Sequence, residues 1–179
     1  MKRCTDDEIA QVTQQLGRKP RGIVAVAAYN QAGEILVVIT APRIPQPFPT
    51  TYYLTHPEVV KAVSRLEANG YMLHLNELLD KTNQLYDEKL AHDYALAHRS
   101  YIKDRNILGQ ILGLEPLEQH NDISAGGMPN RVKCLHALVG HSLAKGPGVN
   151  PIGDLALKKL EPVKSLLNVF NTNFIEVEN

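Results

Sequence analysis

The sequence predicts an α+β fold in which a small three-stranded antiparallel sheet, a hairpin plus one strand, packs with about five helices, one of them long. Two apolar runs, residues 22–29 and 34–40, are joined by a short connection that contains Asn and Gly, as in a β-hairpin. Residues 73–108 contain neither proline nor glycine and carry apolar side chains at helical spacing, which predicts the long helix.

Length and composition set limits on the kind of protein. The 179 residues suffice for one domain with a real core, and 44% of them are apolar, as in soluble proteins. The 19 Lys and Arg balance the 19 Asp and Glu, so no overall field attracts nucleic acid, which is not an expected partner. No apolar run approaches the roughly 20 residues that span a bilayer, so we expect no membrane segment.

We expect three parts along the chain: an N-terminal helix and link over residues 1–20, a single α+β domain over 21–160, and a C-terminal tail over 161–179. The basic start is followed by acidic residues where a signal peptide would be apolar. Two cysteines form no disulfide framework. Together these observations predict a cytoplasmic protein.

The first elements follow from their end signals and patterning. Thr5 can cap an acidic first turn of helix, and the hairpin strands are apolar on both faces, so we expect the sheet to be covered on both sides. The four prolines in residues 42–49 predict a stiff extended loop. Residues 50–55 have the composition of a third strand, and proline near the start and Asn69-Gly70 at the end bound the next helix.

The second half is predicted to be helical, apart from its loops. The long helix carries an apolar stripe at steps of three and four: Tyr86, Leu90, Tyr94, Ala97 and Tyr101. Residues 74–82 are predicted to form a separate helix before it, and residues 109–123 a loop. A further helix is expected from near Pro129, and glycines and prolines in 145–154 end it. A short helix over 154–160 completes the domain.

The densest group of polar chemistry lies in residues 124–141, SAGGMPNRVKCLHALVGH. We expect Ser124, Gly126 and Gly127 to form a loop whose backbone N–H groups, at the start of the following helix, bind an anion together with Arg131 and Lys133. The alternative is a tight glycine turn whose cations face water or pair with carboxylates.

Two further arginines are candidates for the same anion site. Arg21 precedes the first strand, and Arg43 lies in the proline-stiffened loop, where little entropy would be lost on binding. Surface salt bridges are the alternative for each of them.

Cys134, His136 and Asp154 are the catalytic candidates. His136 would act as acid or base, Cys134 as a nucleophile near a helix start, and Asp154 as the partner carboxylate. If Cys134 lies inside the helix, His136 is about 200° round from it and His141 about 10.5 Å along the axis, so one ion cannot take them all. No metal and no cofactor are therefore predicted, and helix packing is the alternative for these residues.

Four ordered blocks carry a family resemblance. They are PFPTTYYLT at 47–55, SRLE at 64–67, the stretch 124–141, and GPGVNPIGD at 146–154. Over about residues 21–154 the chain resembles the bacterial domain-of-unknown-function family 501. The resemblance implies a bacterial, cytoplasmic, single-domain protein and supplies no activity.

Two functions are predicted from different classes. The first is a small-molecule enzyme or binding protein for a phosphate- or carboxylate-bearing ligand held by residues 124–136. The alternative is a non-catalytic interaction module in which Tyr86, Tyr94 and Tyr101 on the long helix dock a protein partner or a second copy of the chain.

Overall fold

The computed structural model describes residues 1–117 and 121–171. In chain order the elements are α1 (Asp6–Leu16), β1 (Ile23–Asn30), β2 (Ile35–Thr40), β3 (Arg43–Ile44), β4 (Gln46–Pro47), β5 (Tyr52–Leu54), α2 (Pro57–Ala68), α3 (Tyr71–Leu79), α4 (Glu88–Ile111), β6 (Gly127–Met128), β7 (Arg131–Val132), α5 (Leu135–Lys145), α6 (Pro151–Lys158), a 3₁₀ helix (Glu161–Leu167) and β8 (Val169–Asn171). The α+β prediction is confirmed, with six α-helices in the described residues.

The central sheet is antiparallel and has the strand order β5-β2-β1-β8. The predicted hairpin is β1 and β2, with Val26 opposite Val38, and the predicted third strand is β5, with Tyr53 opposite Val38. A fourth strand, β8, pairs with β1. The segment predicted as a C-terminal tail therefore contributes a 3₁₀ helix and a sheet strand up to residue 171, and residues 172–179 lie outside the described part.

Both faces of the sheet are covered, as its doubly apolar strands predict. On one face Val12 of α1 is fully buried against Val26, Ile35 and Val38. The Gln11 and Gln15 side chains tie α1 to the backbone of Ile35. The larger core lies on the other face, where α5 packs on β5, β2 and β1, and α2 and α6 pack on α5.

The predicted long helix is α4, and the predicted separate helix before it is α3. Tyr94 and Tyr101 of α4 are buried, and the Tyr101 hydroxyl oxygen accepts a hydrogen bond from the Thr51 N–H at 2.7 Å. The apolar stripe of α4 therefore points into the core. Among the described helices, none has the length and apolar character needed to cross a membrane.

The prediction of a helix from near Pro129 is wrong. Residues 127–132 form a small hairpin, β6 and β7, whose turn is Pro129-Asn130, and α5 begins only at Leu135. Asn76 of α3 holds β7 in this extended form, because its amide bonds both the N–H and the C=O of Val132, at 2.7 and 3.1 Å. The extended backbone is thus selected by a residue 56 positions away.

The start of the last α-helix also differs from its prediction. α6 begins at Pro151 and not at Asp154, because Asn150 is its N-cap and accepts a hydrogen bond from the Gly153 N–H at 3.0 Å. The proline occupies the first turn, where its missing N–H costs nothing. The helix therefore begins earlier than predicted from residues 145–154 alone.

Candidate functional site

Three side chains with metal-binding and nucleophilic chemistry meet between α2 and the start of α5. They are Glu67 in the last turn of α2, Cys134 at the N-cap of α5, and His136 in the first turn of α5. All three are partly exposed. We call them the Glu67 cluster.

The N-cap position explains why Cys134 and His136 meet. Cys134 has extended backbone angles, φ −152° and ψ 113°, so it lies outside the helical repeat. Its Sγ is 4.0 Å from Nδ1 of His136, and Oε1 of Glu67 is 3.3 Å from the same nitrogen. The separation of Cys134 from His136 that a helical position of Cys134 would impose therefore does not apply.

The opposite nitrogen of His136 is held by α2. Nε2 lies 3.3 Å from the Val60 carbonyl oxygen and 3.1 Å from Oγ of Ser64, and the Ser64 hydroxyl itself donates to the Val60 carbonyl. A carbonyl can only accept, so the neutral ring carries its proton on Nε2. The lone pair on Nδ1 then faces Cys134 and Glu67.

The cluster is also electrostatically coupled. The hydrogen bond with Cys134 raises the pKa of His136 above its ordinary value, the Glu67 charge adds to this, and burial opposes it. Glu67 has a further structural contact, because its Oε1 accepts the Leu135 N–H at 2.7 Å and so caps α5 from α2. The carboxylate is thereby fixed in position beside the imidazole.

Asp154 is not the carboxylate that faces His136. Its Oδ2 accepts the Gly148 N–H at 2.7 Å and holds the loop before α6. Glu67 takes the place expected for Asp154, and it was not among the residues predicted from the sequence. Its signal was the SRLE block, but nothing in the spacing of 67 residues between Glu67 and Cys134 indicates contact.

The glycine loop makes close packing contacts within the fold. The Ser124 and Gly127 backbones bond each other, with Ser124 N–H to Gly127 O at 3.0 Å and Gly127 N–H to Ser124 O at 3.2 Å. A Cβ at Gly126 would lie 2.3 Å from Leu138 Cδ2, and one at Gly127 would lie 2.1 Å from the Arg131 carbonyl oxygen, where φ is also +138°. Glycine is required there for close approach.

Of the predicted cations, Arg131 lies at a large cleft. The cleft has a volume of about 940 Å³ and is bounded by α3, the start of α4 and the turn of the β6-β7 hairpin. The Arg131 backbone accepts from the Tyr94 hydroxyl at 3.5 Å. Within the described chain no carboxylate oxygen lies within 4.0 Å of the Arg131 guanidinium. Lys133 is exposed and does not line this cleft.

Neither Arg21 nor Arg43, the other two predicted arginines, lines the cleft at Arg131. Arg21 lines a different cavity of about 250 Å³, together with Arg18, Pro47 and Phe48. Arg43 belongs to β3 and lines neither cavity, and its buried Nε has no hydrogen-bond partner among the residues described.

The tyrosine stripe of α4 is not an open docking face. Tyr94 is 0% exposed and Tyr101 is 1% exposed, and Tyr86 precedes the helix and lines the large cleft. The first two are core residues of this chain. Docking of a partner through them is therefore not supported.

Comparison with known proteins identifies the family. No curated protein and no solved structure shows significant similarity to the chain. One family model, described as a protein of unknown function (DUF501), matches residues 26–158, which include the sheet core, the cleft and the Glu67 cluster. The chain therefore belongs to the DUF501 family.

Proposed function

We propose that the protein is a small-molecule enzyme or binding protein for a ligand that carries a carboxylate or phosphate group, held in the large cleft. The observation that supports this is an arginine, Arg131, at a 940 Å³ cleft, with no carboxylate oxygen of the described residues within 4.0 Å of its guanidinium. A cleft of this size fits a small metabolite. A guanidinium binds two oxygens of a carboxylate or phosphate in one plane.

The rest of the lining suggests a ligand with polar groups of both kinds. Lys81 and His92 add donors, and Asp80 and Glu88 add acceptors on the same walls. Asp80 Oδ1 already accepts from the Thr82 N–H and hydroxyl. A ligand with an acid group and with hydroxyl or amino groups would use both sets. We propose no catalytic residue for this ligand, because the Glu67 cluster does not line the cleft.

Arg131→Ala tests the proposal. The melting temperature of the full chain is measured with each member of a panel of phosphorylated and carboxylated metabolites. The affinity of each ligand that raises the melting temperature is then measured by titration calorimetry. We expect one chemical class to raise the melting temperature of the wild type. Arg131→Ala should weaken that binding about 10- to 100-fold, the worth of a charge-assisted hydrogen bond.

Lys133→Ala is the matched control, because Lys133 is an exposed cation two residues away that does not line the cleft. It should keep wild-type affinity. If no ligand of the panel shifts the wild type, or if both variants lose binding equally, the cleft is not the site. The pairing of β6 with β7 is made by backbone groups, so Arg131→Ala should keep the fold.

We also propose a bacterial cytoplasmic location. It is supported by two free cysteines, Cys4 and Cys134, which suit a reducing compartment. Fractionation of cells that express the tagged chain at natural level would test this. Recovery in a secreted or membrane fraction would contradict it.

A further inference from the structure

We propose that Glu67, Cys134 and His136 bind a divalent transition-metal ion, Zn²⁺ by preference, through one oxygen, one sulfur and one nitrogen. This site is separate from the cleft and does not rest on the function proposed above. Three protein ligands with a fourth position open to solvent is the arrangement of catalytic zinc sites.

The spacing of the three donor atoms fits one ion. They all lie within 4.8 Å of one another. Zinc bonds of about 2.0–2.3 Å at tetrahedral angles place N and O about 3.4 Å apart and S and N about 3.6 Å apart. The observed separations are 3.3 Å from Nδ1 to Oε1 and 4.0 Å from Sγ to Nδ1. The two distances to the imidazole nitrogen are therefore each within half an ångström of the values for a bound ion.

Two of the three ligands, His136 and Glu67, are also held in place by hydrogen bonds to neighbouring residues. A zinc-bound histidine usually donates its other N–H to a carbonyl, and ligating carboxylates are themselves hydrogen-bonded. His136 has the Val60 carbonyl and the Ser64 hydroxyl at Nε2, and Glu67 has the Leu135 N–H at Oε1. These contacts present the Nδ1 lone pair and the carboxylate to one point without further ordering.

The solvent exposure of the site and the chemistry of its donor atoms determine which metal ion it can bind. The side chains of Glu67 and His136 are 22% and 27% exposed, so water or a substrate can reach the fourth position. A thiolate with an imidazole selects Zn²⁺ over Mg²⁺ or Ca²⁺, which prefer all-oxygen sites. On binding, the Cys134 thiol loses one proton to solvent and forms the S–metal bond, while His136 binds as the neutral ring.

Titration of the chelator-treated full chain with Zn²⁺ and with Co²⁺ tests the site. We expect one equivalent of either ion. Tetrahedral Co²⁺ should give visible bands together with a near-ultraviolet sulfur-to-cobalt charge-transfer band. Cys134→Ser should abolish the charge-transfer band, while Cys4→Ser, which removes the other thiol, should keep it.

Two more variants separate metal binding from folding. Glu67→Gln keeps an oxygen to accept the Leu135 N–H but loses the charge, and His136→Asn removes the imidazole. Each should weaken Zn²⁺ binding at least tenfold, with circular dichroism as the measure of fold. Arg131→Ala should bind Zn²⁺ as the wild type does, which keeps this test apart from that of the cleft.

Three results would overturn the proposal. One is the absence of stoichiometric binding by the folded wild type. Another is a charge-transfer band that survives Cys134→Ser or disappears in Cys4→Ser. The third is Zn²⁺ affinity unchanged by both Glu67→Gln and His136→Asn.

Discussion

Acidification from pH 7 to pH 5 should destabilise the protein through His141. This imidazole is fully buried, stacked on Tyr52 with ring centroids 5.3 Å apart and edge-on to Tyr101 at 5.1 Å. Its Nδ1 accepts from Nδ2 of Asn150 at 3.2 Å. The Asn150 amide is oriented by its other contact, the Gly153 N–H to Oδ1. The ring is therefore built into the core in its neutral form.

The magnitude follows from linkage between protonation and unfolding. Burial lowers the pKa of His141 to about 3, and the Lys145 cation adds to the effect, whereas an unfolded histidine has a pKa of about 6.5. Between these values only the unfolded chain takes up the proton, so stability is complete above about pH 6.5 and falls as the pH drops towards 3. At about 1.4 kcal/mol per pH unit, the loss at pH 5 is about 2 kcal/mol.

Urea unfolding at 25 °C measures this loss. The wild type and His141→Gln are compared at pH 7 and pH 5, because other groups titrate in both proteins and cancel in the difference. We expect the wild type to lose about 2 kcal/mol more than the variant over this interval. His74→Gln, at a half-exposed imidazole, controls for the removal of a histidine. Equal pH dependence in the wild type and His141→Gln would refute the reasoning.

Two further predictions concern packing and buried polar contacts. Gly153→Ala should lower the free energy of unfolding by about 1–3 kcal/mol, because its Cβ would lie 2.3 Å from the Leu138 carbonyl oxygen. Gly109→Ala is the matched control in helix α4: its Cβ would meet only a Pro42 side-chain atom, at 3.5 Å, so it should be neutral or stabilise by up to about 1 kcal/mol. Urea unfolding that ranks the two variants in the opposite order would contradict the packing argument. Tyr52→Phe removes the hydroxyl that donates to Asp104 Oδ2 at 2.7 Å, inside a pair with Lys145, and should cost about 1.5–3 kcal/mol by the same assay; a change within a few tenths of a kcal/mol would contradict it.

Local patterns were sufficient for most of the fold. The hairpin follows from two apolar runs around an Asn- and Gly-containing connection, and α1 from the Thr5 cap, which forms the full capping box with Glu8. The coverage of both sheet faces follows from β2, whose six residues are all buried. These features depend on residues within one turn or one strand of each other, so they can be read without the tertiary structure.

The prediction of a helix that begins directly after the glycine loop was wrong, because the helix begins only at Leu135. Residues 127–134 have no strong strand propensity, and their extended form depends on Asn76 bonding Val132. That single difference moved Cys134 from inside a helix to its N-cap. The angular separation of about 200° between Cys134 and His136, which assumed that both lie inside a helix, does not apply for this reason.

The sequence alone determined which residue types were available: a thiol and an imidazole two positions apart, an SRLE block, and an arginine after a glycine turn. Only the tertiary structure decided that Glu67 faces His136, that Arg131 lies at a cleft without Arg21 or Arg43, and that Tyr94 is core. The physical reason is that side-chain chemistry and short-range backbone preference are properties of neighbouring residues. Contact between residues 67 and 136 depends on how α2 packs against α5, which itself packs on the sheet.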